Sequence, residues 1–204
     1  MVHRTVTEYI RAGVAALHLE DQPASKRCGH LRNKQLVSQE EYWSRIKAAA
    51  NARSLSGGDI VLIARTDALA NLGYTEAVSR LKGAIAMGAD VAFLEGVLSK
   101  EQAKQICKDL SPTPVLFNAV TGGLSPELSV SEAQELGFRL IIFPGFALGP
   151  VYGAVSKAAQ HLKQTGSLIL SGRVSPKDLF NVVGLKEALE IDKASGEGLF
   201  GQGV

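Results

Sequence analysis

Two cysteines, Cys28 and Cys107, are too few for a disulfide framework, so a reducing compartment is the simpler reading. Charge of one sign is not in excess either. The formal net charge is +2 and the basic residues are spread along the chain, which excludes an electrostatic footprint for nucleic acid. Apolar runs stop at strand length, about 4–8 residues against the ~20 needed to span a bilayer. The start, Met1-Val2-His3-Arg4-Thr5, lacks the apolar stretch of a secretory signal. No nucleic-acid or membrane partner is expected. A cytoplasmic location is expected, with a mitochondrial one compatible with the same start. No G-x-G-x-x-G follows the first apolar run, so the usual signature of a dinucleotide fold is missing.

What is present is alternation. Helical spacing over residues 3–12 ends at Gly13, and Val14 to Glu20 reads as a strand. A long polar loop covers residues 21–37. Ser38-Gln39-Glu40-Glu41 reads as a capping box opening a helix that runs to about Arg53. Ile60 to Ala64 is a continuous apolar run of the kind buried on both faces of a parallel sheet. Helices over 75–87, 100–110, 130–136 and 151–165 then alternate with strands over 90–94, 115–117 and 139–143. Strand ends fall at Glu20, Arg65, Glu95, Asn118 and Pro144, with gaps of 45, 30, 23 and 26 residues. That spacing predicts βαβ units and a parallel sheet. It suits a (β/α)8 barrel of the TIM type, at about 31 residues per unit. An open doubly wound sheet is the alternative. About five of eight units are recognisable, and the chain opens on a helix that looks like the end of an earlier unit, so about three units are expected to be missing. The predicted division is a partial barrel over 1–170 and a C-terminal helical segment with a loose tail over 171–204.

In either fold the C-terminal strand ends face the site. Those ends carry Glu20, Arg65, Glu95 and Asn118, four polar groups on four apolar strands, where burial is costly unless the groups are used. After Glu20 comes the densest group of reactive side chains, Lys26-Arg27-Cys28-Gly29-His30. Cys28 beside cations suits a thiol acting as an acid near neutral pH. Gly29 allows a tight turn or a close approach to a ligand. His30 is a second proton carrier or a loop-stabilising donor. Glu20, Asp21, Asp67 and Glu95 are candidate oxygen ligands for a hard cation such as Mg2+, with Asp21 and Asp67 equally able to cap loops. Arg65 suits a bidentate grip on a carboxylate or phosphate, or an internal ion pair with Glu95 or Glu20. Gly122-Gly123 can cradle an anion or simply turn. Trp43 and Cys107 read as packing residues.

The motif Lys26-Arg27-Cys28-Gly29-His30 after Glu20-Asp21-Gln22 resembles the isocitrate lyase/phosphoenolpyruvate mutase superfamily. The likeness continues through Ala64-Arg65-Thr66-Asp67-Ala68, Gly88-Ala89-Asp90, Asn118 with the following Gly-Gly, and Ile142-Phe143-Pro144. The resemblance implies a Mg2+-dependent barrel, Mn2+ being possible, that acts on a small carboxylate substrate, a 2-oxo or 2-hydroxy dicarboxylate, through an enolate. It implies Cys28 as the proton donor with Lys26 and His30 beside it. Arg65, Glu95, Asn118 and Gly29 would form the substrate pocket, and Glu20 would bind the metal, largely through water. It also implies a homo-oligomer, a tetramer in many relatives. The metal-binding aspartates of the family lie on a strand before the first helix seen here. Gly145-Phe146-Ala147-Leu148-Gly149 lacks an arginine that tricarboxylate-cleaving relatives carry, which points to a smaller acid. Two other functions compete with a C–C lyase or hydrolase: phosphonate P–C chemistry, and a truncated, catalytically impaired chain that acts only as an associating subunit.

Overall fold

A computed structural model describes residues 1–29, 31, 33–168 and 174–196. Five strands line up in the order of the chain: β1 Ala16–Glu20, β2 Val61–Thr66, β3 Val91–Leu94, β4 Val115–Asn118 and β5 Leu140–Ile142. Every neighbouring pair is parallel. A doubly wound sheet needs a reversal of strand order, and there is none among these five. The strands instead curl into part of a (β/α) barrel, as the spacing predicts. The fold is an incomplete barrel followed by C-terminal helices.

Helices return the chain between strands: α1 Val2–Arg11 before β1, α2 Gln39–Ser56, α3 Leu69–Leu72, α4 Tyr74–Ala86, α5 Lys100–Asp109, α6 Val130–Leu136 and α7 Leu148–Thr165. Then follow α8 Pro176–Val182 and α9 Leu185–Ala194, broken at Gly184 as the sequence suggests. The single turn of α3 is not legible in the sequence, because four residues are too few to show a helical period. The Ser38 box forms only by half. Ser38 Oγ accepts from the Glu41 amide at 3.2 Å, but the Glu41 carboxylate turns to Arg45 at 2.5 Å instead of returning to the cap. A complete box does form at Ser129 and Glu132.

The two sheet faces are sorted by strand parity. Leu62, Ala64, Ala92, Leu94, Val115 and Phe117 point to the helices, where they meet Tyr42, Ile46, Leu81 and Ile106 in one buried cluster or its neighbour. Ile63, Val91, Phe93 and Leu116 point to the other face and form a separate cluster with Val61, Leu140 and Ile142 half-buried against it. That second face is the inner wall of the barrel. The chain divides into the units Met1–Leu148 and Gly149–Val204. In the second, α8 is opened by a capping box between Ser175 and Asp178, and neither α8 nor α9 contains a buried residue. The glycine-rich tail beyond Gly196 lies outside the described residues. Among the described residues no helix is long and apolar enough to cross a membrane.

Candidate active site

Register decides which polar groups meet. Glu20 pairs with Arg65 across β1 and β2, and Arg65 pairs with Phe93 across β2 and β3. Glu95 lies two residues beyond Phe93, and Asn118 two beyond Leu116, so parity turns both toward the inner wall. The Arg65 guanidinium sits 5.0 Å above the Phe93 ring, and His18 meets the edge of the same ring.

Arg65 is the hub. Its Nε lies 2.9 Å from Asp67 Oδ2 and 3.4 Å from Glu20 Oε2, and its Nη2 lies 3.2 Å from Glu95 Oε2. Burial works against its charge, but the Asp67 hydrogen bonds and the three carboxylates outweigh that and raise its pKa. Of the two alternatives foreseen for Arg65, the internal ion pairs form, and Arg65 also lines an open cleft. The cleft has a volume of about 330 Å3 and is lined by Cys28, Gly29, Arg65, Glu95, Asn118, Val120, Pro144, Gly145 and Leu148. Asn118 Nδ2 donates to Glu95 Oε2 at 3.2 Å, while its Oδ1 is buried and accepts nothing. A ligand hydroxyl would satisfy it.

The loop after β1 closes over this floor. Gln22 clamps Arg27 twice, through its backbone oxygen and its amide, both at 3.0 Å. Cys28 is exposed beyond the clamp and Gly29 packs against the hub. Lys26 Nζ reaches back to Glu20 Oε1 at 2.7 Å. That ion pair lies off the line of a hydrogen bond, so Oε1 keeps an open lone pair. His30 lies outside the described residues.

Glu20 fits the part of a hard-cation shell that acts through water, since Mg2+ keeps several waters and takes few carboxylates. It fits no more than that: among the described residues no cluster of three His, Cys, Asp or Glu could hold a metal. Asp21 and Asp67 turn out to be buried struts. Asp21 accepts from Thr66 Oγ1 at 2.5 Å, from the Asp67 amide at 2.9 Å and from Arg80 at 3.2 Å. Burial nevertheless raises its pKa. Asp67 is also pushed up by burial, but the hydrogen bonds of Arg65 and Lys34 prevail and hold it below the ordinary carboxylate value. Gly122-Gly123 does not line the cleft; the Gly122 amide faces Glu127 at 3.4 Å. Lys34 was missed by sequence reading, for a single lysine in a polar loop carries no pattern.

A family model described as phosphoenolpyruvate phosphomutase matches residues 1–163. The curated 2,3-dimethylmalate lyase of Eubacterium barkeri is 34% identical over 193 residues, 94% of this chain and 66% of that protein. The chain thus spans just under two thirds of the length of that relative. A crystal structure of 2,3-dimethylmalate lyase, described as a PEP mutase/isocitrate lyase superfamily member, superposes with a TM-score of 0.97 at 49% identity, over 100% of this chain and 68% of that one. Oxaloacetate acetylhydrolase in complex with the inhibitor 3,3-difluorooxalacetate gives 0.93 at 47% identity, over 96% of this chain and 66% of the other. Phosphonopyruvate hydrolase, solved with oxalate and Mg2+, gives 0.78 at 26%, over 94% and 66%.

Proposed function

Since the chain belongs to the isocitrate lyase/phosphoenolpyruvate mutase superfamily, we propose that it carries the Cys28 half of the active site of a carbon–carbon bond lyase or hydrolase. Its substrate is a small 2-oxo or 2-hydroxy dicarboxylate, and the reaction passes through an enolate. The observation that carries this reading is the Arg65 hub at the C-terminal strand ends, flanked by Glu20 and Glu95 and covered by the Cys28–Gly29 loop.

Arg65 holds a substrate carboxylate on its open side. Asn118 Oδ1 accepts from a substrate hydroxyl, and Glu95 holds the Asn118 amide in place. When the bond beside the carboxylate breaks, the substrate hydroxyl, or for a 2-oxo acid that of the hydrate formed with water, loses its proton to solvent and becomes a carbonyl, and the electron pair of the broken bond stays on the carbon next to that carboxylate. The Cys28 thiol delivers a proton to that carbon and becomes a thiolate. His30, beside it in sequence, is a candidate to return the proton. Lys26 holds Glu20. Mg2+, with Mn2+ as a substitute, would supply charge stabilisation for the enolate oxygens when bound, and Glu20 would hold it through water. The far wall of the cleft, Val120, Pro144, Gly145 and Leu148, offers no second cation. It suits the alkyl group of an alkylated malate, or the small body of oxaloacetate, better than a third carboxylate. The active form is a homo-oligomer, as a tetramer.

The test is Cys28→Ser, assayed on 2,3-dimethylmalate and oxaloacetate. A loss of about 10²–10⁴-fold with the fold intact is expected of a lost general acid. Full activity in the variant would remove Cys28 from the mechanism. Tight, Mg2+-dependent binding of oxalate by calorimetry would exclude a chain that acts only by associating with a complete relative. Phosphonopyruvate should give no new signal in 31P NMR; turnover there would move the reaction to the phosphonate branch.

A further inference from the structure

Lys34 is the one buried side chain among the described residues between Gln22 and Tyr42. Its side chain is 4% exposed and meets Asp67, which is 0% exposed, at 2.8 Å. The same Nζ donates to the Gly29 carbonyl at 2.8 Å. The Lys34 carbonyl in turn accepts from Asn71 Nδ2 at 2.5 Å, which fixes the lysine backbone to the segment after β2.

We infer that Lys34 is a positioning residue that latches the Cys28–Gly29 loop over the substrate-binding face of Arg65. The acceptors are what mark it. One is the backbone oxygen of the residue next to Cys28. The other is a carboxylate oxygen of Asp67, whose carboxylate also receives both Nε and Nη2 of Arg65. A single buried carboxylate therefore holds the substrate grip and the proton-donor loop in register. An apolar pair of similar volume in place of both Lys34 and Asp67 would fill the same space without burying charge, and such replacements of a whole ion pair are often neutral or stabilising. What it could not do is donate to Gly29. Ala24 to Cys28 are all exposed; the Gln22 clamp and the Lys26–Glu20 pair hold the loop as far as Arg27, and Lys34 holds it at Gly29.

The proposal rests on the reading of Cys28 as proton donor, but its main test needs no substrate. In Lys34→Met, trypsin should cut the Arg27–Cys28 bond about tenfold faster than in the native chain, since a charge-assisted latch is gone and the loop opens locally. The thermal midpoint and near-ultraviolet dichroism should stay those of a folded protein. Unchanged cutting in a folded variant overturns the proposal. If Lys34→Met does not fold, because Asp67 keeps only Arg65 as a buried counter-ion, Lys34→Met with Asp67→Asn removes the carboxylate charge as well and is read in the same way. Failure of both to fold would make Lys34 an ion the whole fold requires and would overturn the assignment to the loop. Where the native protein turns over substrate, Lys34→Met should lower kcat with KM within about twofold, because Arg65 keeps Glu20 and Glu95. A loss confined to KM contradicts the latch. A native chain with no turnover would count against the proposed function and leave the proteolysis result standing.

Discussion

A Cβ built on Gly29 would lie 2.6 Å from Nη2 of Arg65 and 3.1 Å from Cγ of Glu95. The loop that carries the thiol therefore touches the guanidinium that would hold the substrate, with no room for a methyl group between them. The neighbour that would have to move is not a free end. Arg65 is tied to Asp67, Glu20 and Glu95.

Gly29→Ala should therefore displace the loop rather than the arginine. Activity is expected to fall by about a hundredfold, as for a misplacement of about 1 Å at a reacting group, with the thermal midpoint close to the native value. The pairing of those two measurements is the check. A variant with native turnover would show that the loop does not close this way in the working enzyme.

Asp67 gives a pH dependence with a definite sign. Its folded pKa is lowered, so its ionised form contributes stability that is complete above the unfolded value, about 3.9, and is lost as pH falls through the lower folded value. Asp21 works in the opposite sense. Its raised pKa adds stability below about 3.9 that is lost as pH rises through the folded value. Asp67→Asn should cost roughly 3–5 kcal/mol at neutral pH, because Lys34 and Arg65 lose a buried counter-charge. Urea melts across pH 2–7 should show that cost shrinking toward the acid end. A cost independent of pH would mean that the loss is steric.

The two cysteines should separate cleanly. Cys28 is exposed, whereas Cys107 is half-buried and burial pushes its thiol up to about 11. At pH 8 iodoacetamide should add one carbamidomethyl group, on the peptide carrying Cys28. Modification of Cys107 at a comparable rate in the folded chain would contradict the packing around α5.

Gly83 decides a contest between two local effects. Alanine improves helix propensity by about 1 kcal/mol. At this site, however, its Cβ would lie 2.1 Å from Trp43 Cε2, and the indole is pinned by a 3.0 Å hydrogen bond to the Arg80 carbonyl. Overpacking of that kind costs about 1–3 kcal/mol and should win. Gly83→Ala is expected to unfold at lower denaturant, followed by the fluorescence of Trp43, the single tryptophan. A stabilised variant would show that α2 and α4 can separate without cost.

Much of this is legible in the sequence. Strand parity and the polar strand ends follow from side chains alternating along buried runs, so Glu20, Arg65, Glu95 and Asn118 could be assigned to one rim from spacing alone. The Ser38 helix start and the helix over 130–136 are local chemistry and read directly. Trp43 was legible as a packing residue because a large aromatic side chain inside a helix gains most by burial against a neighbouring element.

Other features depended on residues far apart in the chain. Asp21 and Asp67 read in sequence as metal ligands or as loop caps alike, because a carboxylate near a strand end has no visible partner. Only the folded chain brings Arg80, 59 residues away, to Asp21 and Lys34, 33 residues away, to Asp67. The Ser38 box half failed because Arg45, one helical turn beyond Glu41, took its carboxylate. By itself the sequence determined the architecture and which residue types stand at the rim, since period and parity are local properties of the chain. Tertiary structure alone decided which charges those residues spend on one another and which stay open to a ligand, since buried ion pairs form between whatever groups the fold brings within reach.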